Sequence, residues 1–112
     1  MNDIKEITHA LIKFRDEREW EQFHDSKNLA TAISIEAAEL NELFLWKTIK
    51  ESEQVEKNKI KEELADILAY SFLMAEKQKF DIKEIMFEKI LKNSEKYPIE
   101  KAKGTSKKYN QL

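Results

Sequence analysis

Apolar residues recur every three or four positions over four stretches of the chain, a period that predicts helices and not strands. Ile4, Ile7, Leu11 and Phe14 predict a first helix over about residues 3 to 19, with Asn2 or Asp3 as its cap. The period lapses over Arg18-Glu19-Trp20-Glu21-Gln22-Phe23-His24-Asp25, so this stretch reads as a connector, anchored by its aromatics and His24. A second helix, capped by Ser26 or Asn28, runs to about Trp46. Thr48 to Lys59 is polar without a stripe and reads as a connection that merges into a third helix ending near Lys79. Asp81-Ile82-Lys83-Glu84 has the spacing of a capping box and opens a fourth helix. That helix stops at Tyr97-Pro98, because proline disfavours helical geometry in the residue before it. Residues from about 98 to 112 form a C-terminal tail, either disordered or able to close over an anion.

The predicted fold is therefore all-α, a single four-helix-bundle-type domain over residues 1–112. One glycine and one proline leave little turn chemistry for anything else. A chain of 112 residues is large enough for a core but small for wrapping a nucleotide-sized site alone, so oligomerisation is expected.

Acidic residues interrupt two of the apolar stripes. With Glu36 set at zero and about 100° per residue, Leu29, Ile33, Leu40 and Leu43 fall within about 60° of it, and Glu39 lies at about −60°. On the third helix Ile60, Ile67, Tyr70 and Met74 surround Glu63 in the same way, with Asp66 at about −60°. A single E-x-x-E pair in a chain that is 38% charged is most often a solvated face. Two such pairs, each centred on an apolar stripe, point to a shared cation, because unpaired buried carboxylates must otherwise take up protons. Oxygen-only donors suit Mg²⁺ or Mn²⁺ better than zinc.

Absence of cysteine excludes disulfides and thiol chemistry. No signal-peptide core and no membrane-spanning run is present, which fits a cytoplasmic protein. A formal net charge of −2 argues against general nucleic-acid binding. Residues 89 to 112 nevertheless carry seven Lys against two Glu, and on the fourth helix the angular line from Ile82 and Ile85 continues as Lys89, Asn93 and Lys96. Such a line is either a helix projecting beyond the core or a surface for an anion.

Glu36, Glu39, Glu63 and Asp66 match an E-x-x-E, spacer, E-x-x-D pattern. With Trp20-Glu21-Gln22-Phe23-His24, Asn28-Leu29, Glu42-Leu43-Phe44, Trp46-Lys47, Lys92-Asn93, Tyr97-Pro98 and the Gly104 to Tyr109 tail, the chain resembles the MazG-like all-α nucleotide pyrophosphohydrolases, in their dCTP pyrophosphatase branch. The resemblance runs from about Phe14 onward. It implies Mg²⁺ on the four acids, a base pocket of Trp20, His24 and Trp46, a nucleotide contact from Tyr70, and triphosphate contacts along Lys89, Asn93 and Lys96. A dimer or dimer of dimers is implied as well. Leu11 departs from the pattern, standing where relatives have a His, which leaves base preference open.

The expected function is Mg²⁺-dependent hydrolysis of a pyrimidine deoxynucleoside triphosphate to monophosphate and pyrophosphate. Two other readings compete. Glu6-x-x-His9 and Glu21-x-x-His24 match the string of a di-iron carboxylate bundle, although Glu6 and His9 fall roughly 100° and 160° off the apolar stripe. A non-enzymatic helical interaction module would make the acids dispensable.

Overall fold

Asn2 starts the first helix: its side-chain oxygen accepts from Lys5 N at 2.9 Å, and α1 follows over Asp3–Glu17. The computed structural model describes residues 1–112 and contains helices but no strands. Five more α-helices follow: α2 (Ser26–Glu42), α3 (Ile49–Ser52), α4 (Lys57–Gln78), α5 (Ile82–Lys96) and α6 (Ile99–Ala102), with 3₁₀ turns at Glu21–Phe23 and Tyr109–Gln111. The four long helices are those the apolar period predicts. Their boundaries differ in instructive ways.

α2 is capped neither by Ser26 nor by Asn28 but by Asp25, whose carboxylate accepts from Asn28 N at 2.8 Å. Ser26 makes a different bond, accepting from Gln78 Nε2 at 2.6 Å. This ties the first residue of α2 to the last of α4, so the two helices run antiparallel. The second helix also ends at Glu42 rather than at Trp46. Leu43, Phe44 and Leu45 donate to carbonyls three residues back, tightening the chain into turns, and Trp46 then takes a left-handed backbone with φ 64°. The predicted connection from Thr48 contains α3, closed by a full capping box in which Thr48 and Glu51 each bond the other's backbone N–H. At the start of α5 only half of the expected box forms: Asp81 accepts from Glu84 N at 2.9 Å. The tail is partly ordered, carrying α6 and the last 3₁₀ turn.

The chain divides into two compact units, residues 1–79 and 80–112. In the first, α4 packs along α2 and more sparingly against α1. The buried hydrophobic residues are Leu29 on α2 and Leu73 and Ala75 on α4. Around them Ile33, Leu40, Ile60, Ile67, Tyr70 and Met74 are half-buried, so the stripes flanking Glu36 and Glu63 are the faces that pack. On α1, Ile7 and Phe14 remain exposed while Ile4, Thr8, Leu11, Ile12 and Arg15 are half-buried, which turns the packing face partly off the predicted stripe. In the second unit α5 leaves Met86, Phe87, Ile90 and Leu91 exposed. No helix is long and apolar enough to cross a membrane.

Candidate functional site

Three of the four acids converge where α2 meets α4. Glu36, Glu39 and Glu63 each present a carboxylate oxygen, and these oxygens lie within 4.8 Å of one another. Glu36 and Glu63 occupy the packed faces and are half-buried, whereas Glu39 and Asp66, one turn along, lie at the exposed margin. The expectation that all four share one interior is thus met by two. Neither histidine joins the cluster, contrary to the di-iron reading.

Concentrated negative charge changes the acids themselves. Glu36 is pushed up to about 7, first by burial, then by the hydrogen bond it shares with Glu39 and by repulsion from Glu39, Asp66 and Glu63. Glu63 is raised in the same sense by burial, by Glu39 and by Asp66. Asp66 therefore belongs to the cluster through its field even though it is not among the three clustered ligands. One oxygen of Glu36 and one of Glu63, Oε2 in each, are buried without a hydrogen-bond partner. Buried acceptors left unpaired are costly, and a divalent cation coordinated by oxygen would satisfy both at once. The donor set fits a hard divalent metal.

Beside the acids lies an apolar cavity of about 120 Å³, lined among others by Leu11, Phe14, Trp20, His24, Tyr70 and Asp66. The sequence gathers it from α1, the connector and α4. Trp20 meets the Phe14 ring edge-on at 5.8 Å between centroids, and His24 meets Tyr70 edge-on at 6.3 Å. Burial, then the nearby charge of Arg15, lowers the His24 pKa, and His24 Nδ1 is buried without a partner. Asn28 secures the connector by donating to Phe23 O at 3.1 Å.

Trp20, His24 and Tyr70 are thus brought together, but Trp46 is not with them. Trp46 is 93% exposed and lines a separate open groove with Asn41, Glu42, Phe44 and Leu45. Lys89, Asn93 and Lys96 are exposed on α5 of the second unit, where Lys96 Nζ stands 5.1 Å above the Tyr109 ring. Arg15, which the sequence reading did not single out, lines the aromatic cavity. Its position one turn after Leu11, about 40° round the helix, is the signal that could have found it.

The sequence profile of the MazG-like family matches residues 31–112. Human dCTP pyrophosphatase 1 (Homo sapiens) is 37% identical over 114 residues, which take in 97% of this chain and 67% of that protein. The rat protein of the same name (Rattus norvegicus) is 35% identical over the same shares. A pyrophosphatase from Archaeoglobus fulgidus, known as a crystal structure, superposes with a TM-score of 0.83 at 37% identity, over 88% of this chain and 94% of that one. An all-helical chain with clustered acids beside an aromatic cavity is, on these likenesses, an enzyme of the pyrophosphatase class. The chain belongs to the MazG-like family.

Proposed function

We propose that this enzyme is a nucleotide pyrophosphohydrolase that converts a pyrimidine deoxynucleoside triphosphate, dCTP or a modified dCTP, to the monophosphate and pyrophosphate, with a role in nucleotide-pool cleansing. One observation carries the reading: Asp66, whose charge acts on the acid cluster, also lines the cavity that holds Trp20, His24 and Tyr70. A base in the cavity and a phosphate at the acids are then the two ends of one ligand. The names of the dCTP pyrophosphatase relatives supply the substrate.

Glu36, Glu39, Glu63 and Asp66 would hold Mg²⁺, with Mn²⁺ as a substitute. Bound there, the ion would supply neutralisation of phosphate charge and a lower pKa for an attacking water. The residues do the rest. Trp20 and Tyr70 offer aromatic surface to the base, and Glu36 or Glu39 orients the water or takes its proton. Attack falls on the α-phosphorus: a water–phosphorus bond forms, the bridge to the β-phosphate breaks, and pyrophosphate leaves. The same reading gives Trp46 a contact with the base, and Lys89, Asn93 and Lys96 contacts with the phosphates. A homo-oligomer, a dimer or dimer of dimers, is part of it, supported by the exposed apolar residues Ile35, Leu64 and Leu68 of α2 and α4.

Hydrolysis in heavy-oxygen water tests the reaction. The label should enter the nucleoside monophosphate and be absent from pyrophosphate. Label in pyrophosphate, or release of the diphosphate with orthophosphate, would show the assignment to be wrong. The chain's one glycine, Gly104, excludes the glycine-rich loop used for γ-phosphate transfer.

A further inference from the structure

Among the residues lining the aromatic cavity, Arg15 alone carries a permanent positive charge. Its side chain is only 14% exposed. Asp16 takes a hydrogen bond from Arg15 Nε at 2.8 Å, and a Glu21 carboxylate oxygen lies 3.7 Å from Nη2, an ion pair too long to be a hydrogen bond. Both Nη groups are thus left without a hydrogen-bond acceptor. They are not sealed off, since the partnerless buried polar atoms are His24 Nδ1 and the two glutamate oxygens. Two acidic side chains hold the guanidinium in place, and Arg15 lines both the aromatic cavity and a neighbouring one that Glu21 also lines.

In the wall of the aromatic cavity Leu11, Phe14, Ala69 and Leu73 have no polar side-chain atoms and His24 Nδ1 is closed from contact, while Trp20, Asp66 and Tyr70 are polar side chains beside Arg15. An arginine has five donors and no acceptor, so it selects for an acceptor atom on its ligand and against an amine. Taken with the substrate class proposed above, on which this step rests, the acceptor is the exocyclic carbonyl oxygen of the pyrimidine ring. We propose that Arg15 is a specificity-determining residue that reads the ring carbonyl of the bound base.

Steady-state kinetics with dCTP and with the triphosphate of abasic 2-deoxyribose test this. Arg15→Met should lower kcat/KM for dCTP by on the order of ten- to a hundredfold, the range of a hydrogen bond to a charged group, mainly through KM. The abasic triphosphate should be turned over as by the wild type. Arg15→Lys, which keeps the charge without the planar fork, should fall between. An equal loss on both substrates would make Arg15 a structural prop, no loss on either would make it a bystander, and each overturns the proposal. If Arg15→Met does not fold, the wild-type enzyme decides the matter, because Arg15 and Arg18 are its only arginines. dCTP should shield Arg15 from an arginine-selective dicarbonyl reagent while Arg18 continues to react, and the abasic triphosphate should shield neither. Unshielded Arg15 overturns the assignment. Failure of the wild type to release pyrophosphate from any triphosphate is a separate result, one that removes the proposed function itself.

Discussion

The acid cluster and the aromatic cavity lie in the same unit, residues 1–79, and are built by opposite means. The cluster comes from two antiparallel helices whose inward faces place Glu36 and Glu63 by periodicity alone, and it is under electrostatic stress, with raised pKa values and two unpaired oxygens. The cavity comes from one helix, an irregular connector and a second helix, and its residues relieve one another through edge-on ring contacts. One region gives up stability for charge density, whereas the other gains stability from contacts among the side chains that line it. Substitutions in the two should therefore move stability in opposite directions while both reduce activity.

The largest expected effect tests the acid side of this contrast. Glu63→Gln and Asp66→Asn should each lower turnover by about a hundredfold or more, while metal-free folding is unchanged or improved because repulsion is removed. Normal activity in either variant would remove the metal site from the mechanism. Mg²⁺ at about a hundred times its Kd should stabilise the wild type by about 2.7 kcal/mol, a rise in Tm of roughly 10 °C. Glu63→Gln should lose most of that rise, read by thermal denaturation with and without metal.

On the cavity side the effect is smaller. Trp20→Ala should weaken nucleotide binding by about 1–3 kcal/mol, the contribution of one stacked aromatic, and blur discrimination between bases. It should also lower stability, because the contact with Phe14 is lost. Trp46→Ala should weaken binding similarly, and wild-type affinity and base preference in that variant would show that its exposed indole takes no part in base recognition.

The mildest test is by pH. Glu36 has a higher pKa folded than unfolded, so the folded protein binds the extra proton and its contribution is fully present below about 4.5 and lost as pH rises through about 7. Metal-free stability should fall across that window. Glu36→Gln should flatten the profile in a Tm series, and an unchanged slope would show that another group governs it.

This contrast also explains how much the sequence disclosed. Glu36, Glu39, Glu63 and Asp66 were legible because a helix repeats, and a charge on an apolar stripe stands out against the period. The end of α2 was not legible. No glycine or proline marks it, and the turns from Leu43 to Leu45 arise from bonds to carbonyls three residues back, so extending the helix carried Trp46 to a position it does not hold. α3 was hidden by its polarity, although Thr48-Ile49-Lys50-Glu51 has the spacing of a capping box. Arg15 escaped notice because a charged residue beside a stripe is ordinarily solvated, and only the arrival of the connector closes a cavity over it.

Three residues other than glycine, Glu19, Trp46 and Lys79, hold left-handed backbones, at φ 54°, 64° and 62°. For protein engineering these positions are not equivalent. Lys79 closes α4 as its C-cap, the place where glycine is favoured, and its exposed pairing with Glu76 at 3.5 Å contributes little. Lys79→Gly is therefore a route to a hardier enzyme, adding up to about 1 kcal/mol. Trp46→Gly would relieve the same backbone strain but delete the indole. A stabilisation campaign guided by backbone geometry alone would rank the two changes together, and only one of them leaves every aromatic side chain in place.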